Sequence, residues 1–248
     1  TKYEFMAIPL FVFMGVMLER SRVAEQMLEA AGLLAGSLRG GMGIAIIVVG
    51  VLLGASTGIV GATVVTMTLL TLPVLIRRGY SPALASGAIC ASGTLGQIIP
   101  PSLVLILLAD IIGLSVGTLF AAALMPGLVL AGLYVAFFLA VAWWRPELAP
   151  AIPLEERRQI RGWRLAGRCL WALGPPLALV AGVLGSIIGG FAAPTEAAAV
   201  GASLAVVIAA LYGRLRPRLL VEVADQTVRI SAMIFFILIA AQVFSIAF

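Results

Sequence analysis

From Met42 to Ile76 the chain runs without one charged side chain, and arginine stands on both sides of the run, at Arg39 and at Arg77-Arg78. A helix rises ~1.5 Å per residue, so about 35 residues reach ~50 Å, against a hydrocarbon core of ~30 Å. The run is too long for one crossing and too short for two of ~20 residues each. By the positive-inside rule, arginine at both ends puts both ends in the cytoplasm. A re-entrant helical hairpin meets both constraints, turning at Gly54-Ala55-Ser56-Thr57-Gly58, where glycine and hydroxyl residues let the backbone bend.

Composition agrees with a bilayer. Hydrophobic residues are 62% and charged residues 11% of 248, with mean hydropathy +1.16. Soluble chains run nearer ~45–50% apolar and ~25% charged, so this one has too few charges to cover a water-facing surface. Histidine is absent, which removes Ser-His and Cys-His catalysis and histidine metal sites. Cys90 and Cys169 are far apart and form neither a disulfide framework nor a zinc spacing. The net charge of +5 is mostly arginine between apolar runs, a topology signal and not a nucleic-acid footprint. Residue 1 is Thr, near one apolar stretch, and Phe248 lies in another. The sequence is therefore expected to be an internal piece of a longer membrane protein.

The other apolar runs are Phe5–Leu18, Ala83–Ile112, Leu119–Trp144, Leu170–Phe191, Ala197–Tyr212 and Ile230–Phe248. With the hairpin in place they alternate so that every arginine cluster falls on one side. Residues 1–41 hold a transmembrane helix and an amphipathic stretch (23–38). Residues 42–113 hold the hairpin (42–76) and the helix at 82–112. Residues 114–144 return to an Arg-rich loop at 145–168, with Trp143 and Trp144 as interfacial anchors. Residues 169–248 hold two spans, a polar stretch at 217–229 lying along the cytoplasmic face, and a partial span.

The segment 82–112 contains Ser92-Gly93-Thr94-Leu95-Gly96-Gln97-Ile98-Ile99-Pro100-Pro101-Ser102. Tandem prolines remove backbone donors and disfavour helix at the residue before them, so unwinding is expected around Gly93 to Pro101. Unwound backbone at membrane depth is tolerated where protein or a cavity buries it, and secondary transporters use it to hold ions and substrates. Ser56 and Thr57 at the hairpin tip, with Ser92, Thr94 and Ser102 on the broken helix, offer oxygens to a sodium ion, which needs no carboxylate. Small-residue spacing at Gly182, Ser186 and Gly190 is read as helix packing. Thr195-Glu196 is read as a capped helix start, with the carboxylate at the positive helix end.

Gly79-Tyr80-Ser81-Pro82, the 92–102 segment, Ile8-Pro9-Leu10-Phe11 with Met14-Gly15, and Ala193-Pro194-Thr195-Glu196-Ala197-Ala198-Ala199 together resemble the large membrane subunit of TRAP transporters, the tripartite ATP-independent periplasmic carriers. The resemblance implies an all-α polytopic membrane protein with the elevator fold of the ion-transporter superfamily. That fold has inverted repeats, each with a re-entrant hairpin and a discontinuous helix, and the second repeat is truncated here. It implies a bacterial inner-membrane permease that is not an enzyme. Such a permease takes up an organic acid with sodium as coupling ion and no other cofactor. It works with a small four-helix membrane subunit and a periplasmic binding protein, in the lipid bilayer, without nucleic acid. The stretches 22–38 and 217–229 become arm helices joining scaffold to transport domain.

Carried onto matching positions, the sodium candidates are Ser56, Thr57, Gly58, Ser92, Gly93, Thr94 and Pro100, and the substrate candidates are Gly54, Ala55, Gly96 and Ser102. A second hairpin and second broken helix are expected beyond Phe248. The rival reading is a binding-protein-independent sodium:anion symporter of the same superfamily. An intramembrane hydrolase built on Ser56 lacks a histidine, and Lys2 is the sole lysine.

Overall fold

The computed structural model describes residues 3–21, 23–35, 38–57, 60–151 and 163–247. Within them the regular structure is all helical: α1 (Ala7–Arg20), α2 (Val23–Ala35), α3 (Gly41–Thr57), α4 (Val60–Arg77), α5 (Pro82–Ile98), α6 (Leu103–Ile112), α7 (Val116–Trp144), α8 (Trp163–Ile188), α9 (Pro194–Leu211) and α10 (Pro217–Ala247). Helices α7 to α10 are each long and apolar enough to cross a membrane, and α5 with α6, bent by 42° across a short break, makes a fifth such unit. The chain is a multi-pass membrane protein.

Helix α1 is the centre of the core. It is buried on every side, from Ala7 and Ile8 through Met14 to Leu18, as a helix that is apolar all round must be. It packs against α9, α10 and α3. Gly201 of α9 lets it come close: a Cβ there would stand 2.8 Å from Met14 Sδ. Phe5 meets Phe235 of α10 edge to face, with ring centroids 6.5 Å apart.

Local signals explain the helix ends. Pro82 and Pro194 open α5 and α9, where the missing N–H costs nothing. Ser115 caps α7, accepting from the Thr118 amide at 3.1 Å. Glu196 accepts from the Ala193 amide at 2.9 Å, so Thr195-Glu196 is the capped helix start expected. Gly113, at φ 71°, ends α6, and the Leu114 amide reaches back to the Ala109 carbonyl at 3.0 Å.

Helices α3 and α4 fold back on one another. The Arg78 guanidinium, just past α4, lies 3.3 Å from Sδ of Met42 in the first turn of α3. A strap from the far end of α7 crosses this open end. The Gly40 amide donates to the Ala149 carbonyl at 3.0 Å, and the Ser81 amide donates to the Leu148 carbonyl at 3.1 Å. In the full-length protein, single cysteines replacing Arg39 or Arg77, in a background without Cys90, are expected to react with an impermeant thiol reagent from the same side. Reaction from opposite sides would sink the re-entrant reading.

Three boundaries differ from expectation. Helix α5 does not unwind at Gly93 but continues through Ile98, leaving Ile99–Ser102 as the break. The prolines act only on Ile99 and on the donors they replace, and the glycines before them serve packing. Helix α8 begins at Trp163, inside the stretch assigned to the 145–168 loop, and its Arg168 pairs with Glu29 of α2 at 2.9 Å. Helix α10 runs from Pro217 through the expected boundary at residue 229 as one helix, because the polar 217–229 stretch lacks a helix breaker after Pro217.

Candidate functional site

Glycine builds the site. Helices α3 and α5 cross in close contact, and a Cβ on Gly54 would overlap the Gly96 backbone while one on Gly96 would overlap that of Gly54. One turn earlier, a Cβ on Gly50 would stand 2.5 Å from the Ser92 Cβ. Gly93 meets Val64 of α4 in the same manner. Helix α5 is therefore seated against both limbs of the hairpin, and this contact sets the last turn of α3 beside the last turn of α5.

Just beyond that contact the chain breaks. The carbonyls of Gly96 and Gln97 would accept, in a continuing helix, from residues 100 and 101, which are prolines and have no N–H. The first amides of α6 likewise have no intrahelical partner. A helix C-terminus whose last carbonyls lack intrahelical donors thus sits one short loop from a helix N-terminus. The first favours a cation and the second an anion. Ser102 stands at this N-terminus, fully buried, and its hydroxyl has no hydrogen-bond partner among the described residues.

The hydroxyls divide by position. Ser92 is buried in the α3–α5 crossing and donates to the Ile89 carbonyl at 3.0 Å. Thr94 points elsewhere: it is exposed and donates to the Ala91 carbonyl at 2.9 Å. The structure brings Gly54, Ala55, Ser92, Gly93 and Gly96 together, with Pro100 and Ser102 at the adjoining break, and does not bring Thr94 to that face. Ser56 and Thr57 lie in the last turn of α3 by backbone position, their side chains outside the described residues, as is all of Gly58. Among the described residues no three His, Cys, Asp or Glu side chains gather as metal ligands. The donors at the break are neutral oxygens, which suit an alkali cation.

A family model for the tripartite ATP-independent periplasmic transporter, DctM component, matches residues 1–248. The chain belongs to the DctM family. It is 34% identical over 249 residues to the C4-dicarboxylate TRAP transporter large permease protein DctM of Pseudomonas aeruginosa, covering 98% of this chain and 55% of that protein. The Rhodobacter capsulatus protein of the same name is 34% identical, with 98% and 57% covered. The ectoine TRAP transporter large permease protein TeaC of Halomonas elongata is 28% identical, with 96% and 54% covered. The chain thus spans just over half the length of these DctM relatives, in a family of transporter permeases and not of enzymes.

One polar group in this DctM chain escaped sequence reasoning. Glu19, in the last turn of α1, accepts from the Thr66 hydroxyl of α4 at 2.9 Å. The signal available was an acid directly after the apolar run Phe5–Leu18.

Proposed function

We propose that this chain is part of the large permease subunit of a sodium-coupled secondary transporter that imports an organic acid across the bacterial inner membrane by an elevator mechanism. The observation that carries the reading is the Pro100-Pro101 break held beside the hairpin by the Gly54–Gly96 contact. Sodium is bound at the C-terminal end of α5 by the bare carbonyls near Gly96 and Gln97 and by hydroxyls of the hairpin tip, Ser56 and Thr57. Ser92, Gly93 and Pro100 shape this pocket from the helix side. The substrate carboxylate meets the α6 N-terminus and the Ser102 hydroxyl, with Gly54, Ala55 and Gly96 forming an open floor. Thr94, facing away, is the sodium candidate that the geometry supports least.

In this reading the ion creates the carboxylate site. A cation at the end of α5 offsets the anion a few ångströms away, so each binds more tightly when the other is present. The hairpin and broken helix then move as a unit between the two faces, with α2 as the arm that leads into the hairpin. A second hairpin and broken helix, a small four-helix membrane subunit and a periplasmic binding protein complete the machine. The relatives' names cover C4-dicarboxylates, ectoine and isethionate, so the acid is chosen by the binding protein and by details of the floor.

The experiment is uptake of radiolabelled C4-dicarboxylate into proteoliposomes containing the full-length permease and small subunit. A sodium gradient and the cognate binding protein are expected to be needed together. Uptake that ignores sodium would overturn the coupling, and uptake without binding protein would favour the binding-protein-independent symporter. Within that assay Ser102→Ala tests the anion site. The hydroxyl makes no hydrogen bond among the described residues, so thermal stability is expected to stay the same or rise slightly. The substrate concentration for half-maximal uptake is expected to rise about tenfold, the weight of one hydrogen bond to a charged group.

A further inference from the structure

A side-chain hydrogen bond joins the limb α4 to α1. Thr66 Oγ1 donates to Glu19 Oε1 at 2.9 Å. The other carboxylate oxygen, Oε2, is buried without a hydrogen-bond partner among the described residues. Burying a carboxylate is costly, and leaving one of its oxygens unbonded adds to the cost. The contact therefore joins α4 to a half-buried carboxylate, one oxygen of which has no hydrogen-bond partner among the described residues.

The surroundings leave room beside it. A cavity of about 470 Å³ is lined by Glu19, Arg20, Glu25, Thr66, Leu70 and Glu222, among others, between α1, α2, α4 and the start of α10. A second cavity of about 380 Å³ runs along the same limb past Leu70, Thr71 and Val74 to Arg78. Limb α4 is packed tightly on its α5 side, where Val64 fills the place of a Gly93 side chain, and loosely on its α1 side. Helix α1 in turn is packed against α9 and α10, and against the other limb, α3. A tight joint on one side and a polar contact beside open space on the other mark where α4 can part from α1.

We propose that Glu19 and Thr66 form a releasable stop. The Thr66 hydroxyl on the carboxylate holds the α4 limb against α1 in the conformation seen, and the contact breaks when the hairpin unit slides along α1. On release the carboxylate takes water from the enlarging cavity on both oxygens, which repays the lost Thr66 bond. The pair positions the hairpin and touches neither ion nor substrate. This inference rests on the elevator reading, and goes beyond it by naming the contact that opens.

The test uses the full-length permease with its partners in proteoliposomes, in a background with Cys90 and Cys169 replaced by serine. Glu19→Cys with Thr66→Cys, joined by a short bifunctional thiol reagent cleavable by reductant, is expected to lose sodium-driven uptake and regain it on reduction. Each single variant treated alike is expected to keep it. Full uptake by the bridged protein would overturn the stop. No uptake by the untreated parent would remove the transport reading and the stop with it. A second measurement avoids reliance on the double variant. A Leu70→Cys reporter is expected to react with a water-soluble maleimide about tenfold faster when Thr66 is changed to Val, and at the parent rate when it is changed to Ser. Equal rates for Val and parent would refute the proposal.

Discussion

Gly96→Ala is expected to abolish sodium-driven uptake while the protein still assembles in the membrane. The added methyl would overlap the backbone of Gly54, and backbone, unlike the tip of a flexible side chain, cannot swing aside. The helices must separate by about 1 Å, and misplacement on that scale costs on the order of a hundredfold in systems that need exact geometry. Overpacking itself costs about 1–3 kcal/mol, which lowers thermal stability without unfolding a membrane bundle. Gly54→Ala is expected to give the same phenotype from the other side of the contact. Gly87→Ala is the control, because nothing lies within 4 Å of a Cβ there. The measurement is initial uptake rate against sodium concentration, normalised to protein recovered in detergent. Wild-type rates for both Gly96→Ala and Gly54→Ala would show that the crossing does not set the site.

The second large effect is expected from Pro100→Ala with Pro101→Ala. Two restored N–H groups can satisfy the carbonyls of Gly96 and Gln97, and Ile99 is freed from the clash that holds it extended at ψ 122°. The helix is then able to run on from α5 into α6, and the carbonyls proposed for sodium become ordinary helix bonds. Stability is expected to hold or rise, while sodium dependence of uptake and sodium-induced thermal stabilisation both disappear. Retained sodium stabilisation would move the ion elsewhere.

Helix α8 supplies the internal comparison. It carries its own tandem prolines, Pro175 and Pro176, yet remains one helix from Trp163 to Ile188. The residue before Pro175 is Gly174, which has no Cβ to collide with the proline ring. The residue before Pro100 is the β-branched Ile99, which does. Tandem prolines alone therefore do not define a broken helix: in α8 the carbonyls of Trp171 and Ala172, which the two prolines leave without amide donors, accept from the Tyr212 hydroxyl instead.

Much of the architecture was legible in the chain. Apolar run lengths and flanking arginines gave the all-helical membrane class, the paired limbs of 42–76 and the position of the break near Pro100. The helix start at Pro194–Glu196 was legible too, because capping is chemistry among near neighbours. The break was placed too early, because the unwinding expected from the tandem prolines was carried back to Gly93, whereas α5 continues through Ile98. The actual use of Gly93 and Gly96 is contact with α3 and α4, a fact about partners far along the chain.

The sequence by itself determined which segments are apolar enough for a bilayer and where backbone donors are missing, since hydropathy and proline chemistry are local properties. Only the tertiary structure decided which glycines touch, that Ser92 is walled in while Thr94 faces away, that Ser102 is buried at a helix start without a hydrogen-bond partner among the described residues, and that Glu19 meets Thr66. Those outcomes depend on how helices far apart along the chain rotate and approach one another, and packing across that distance leaves no local signal.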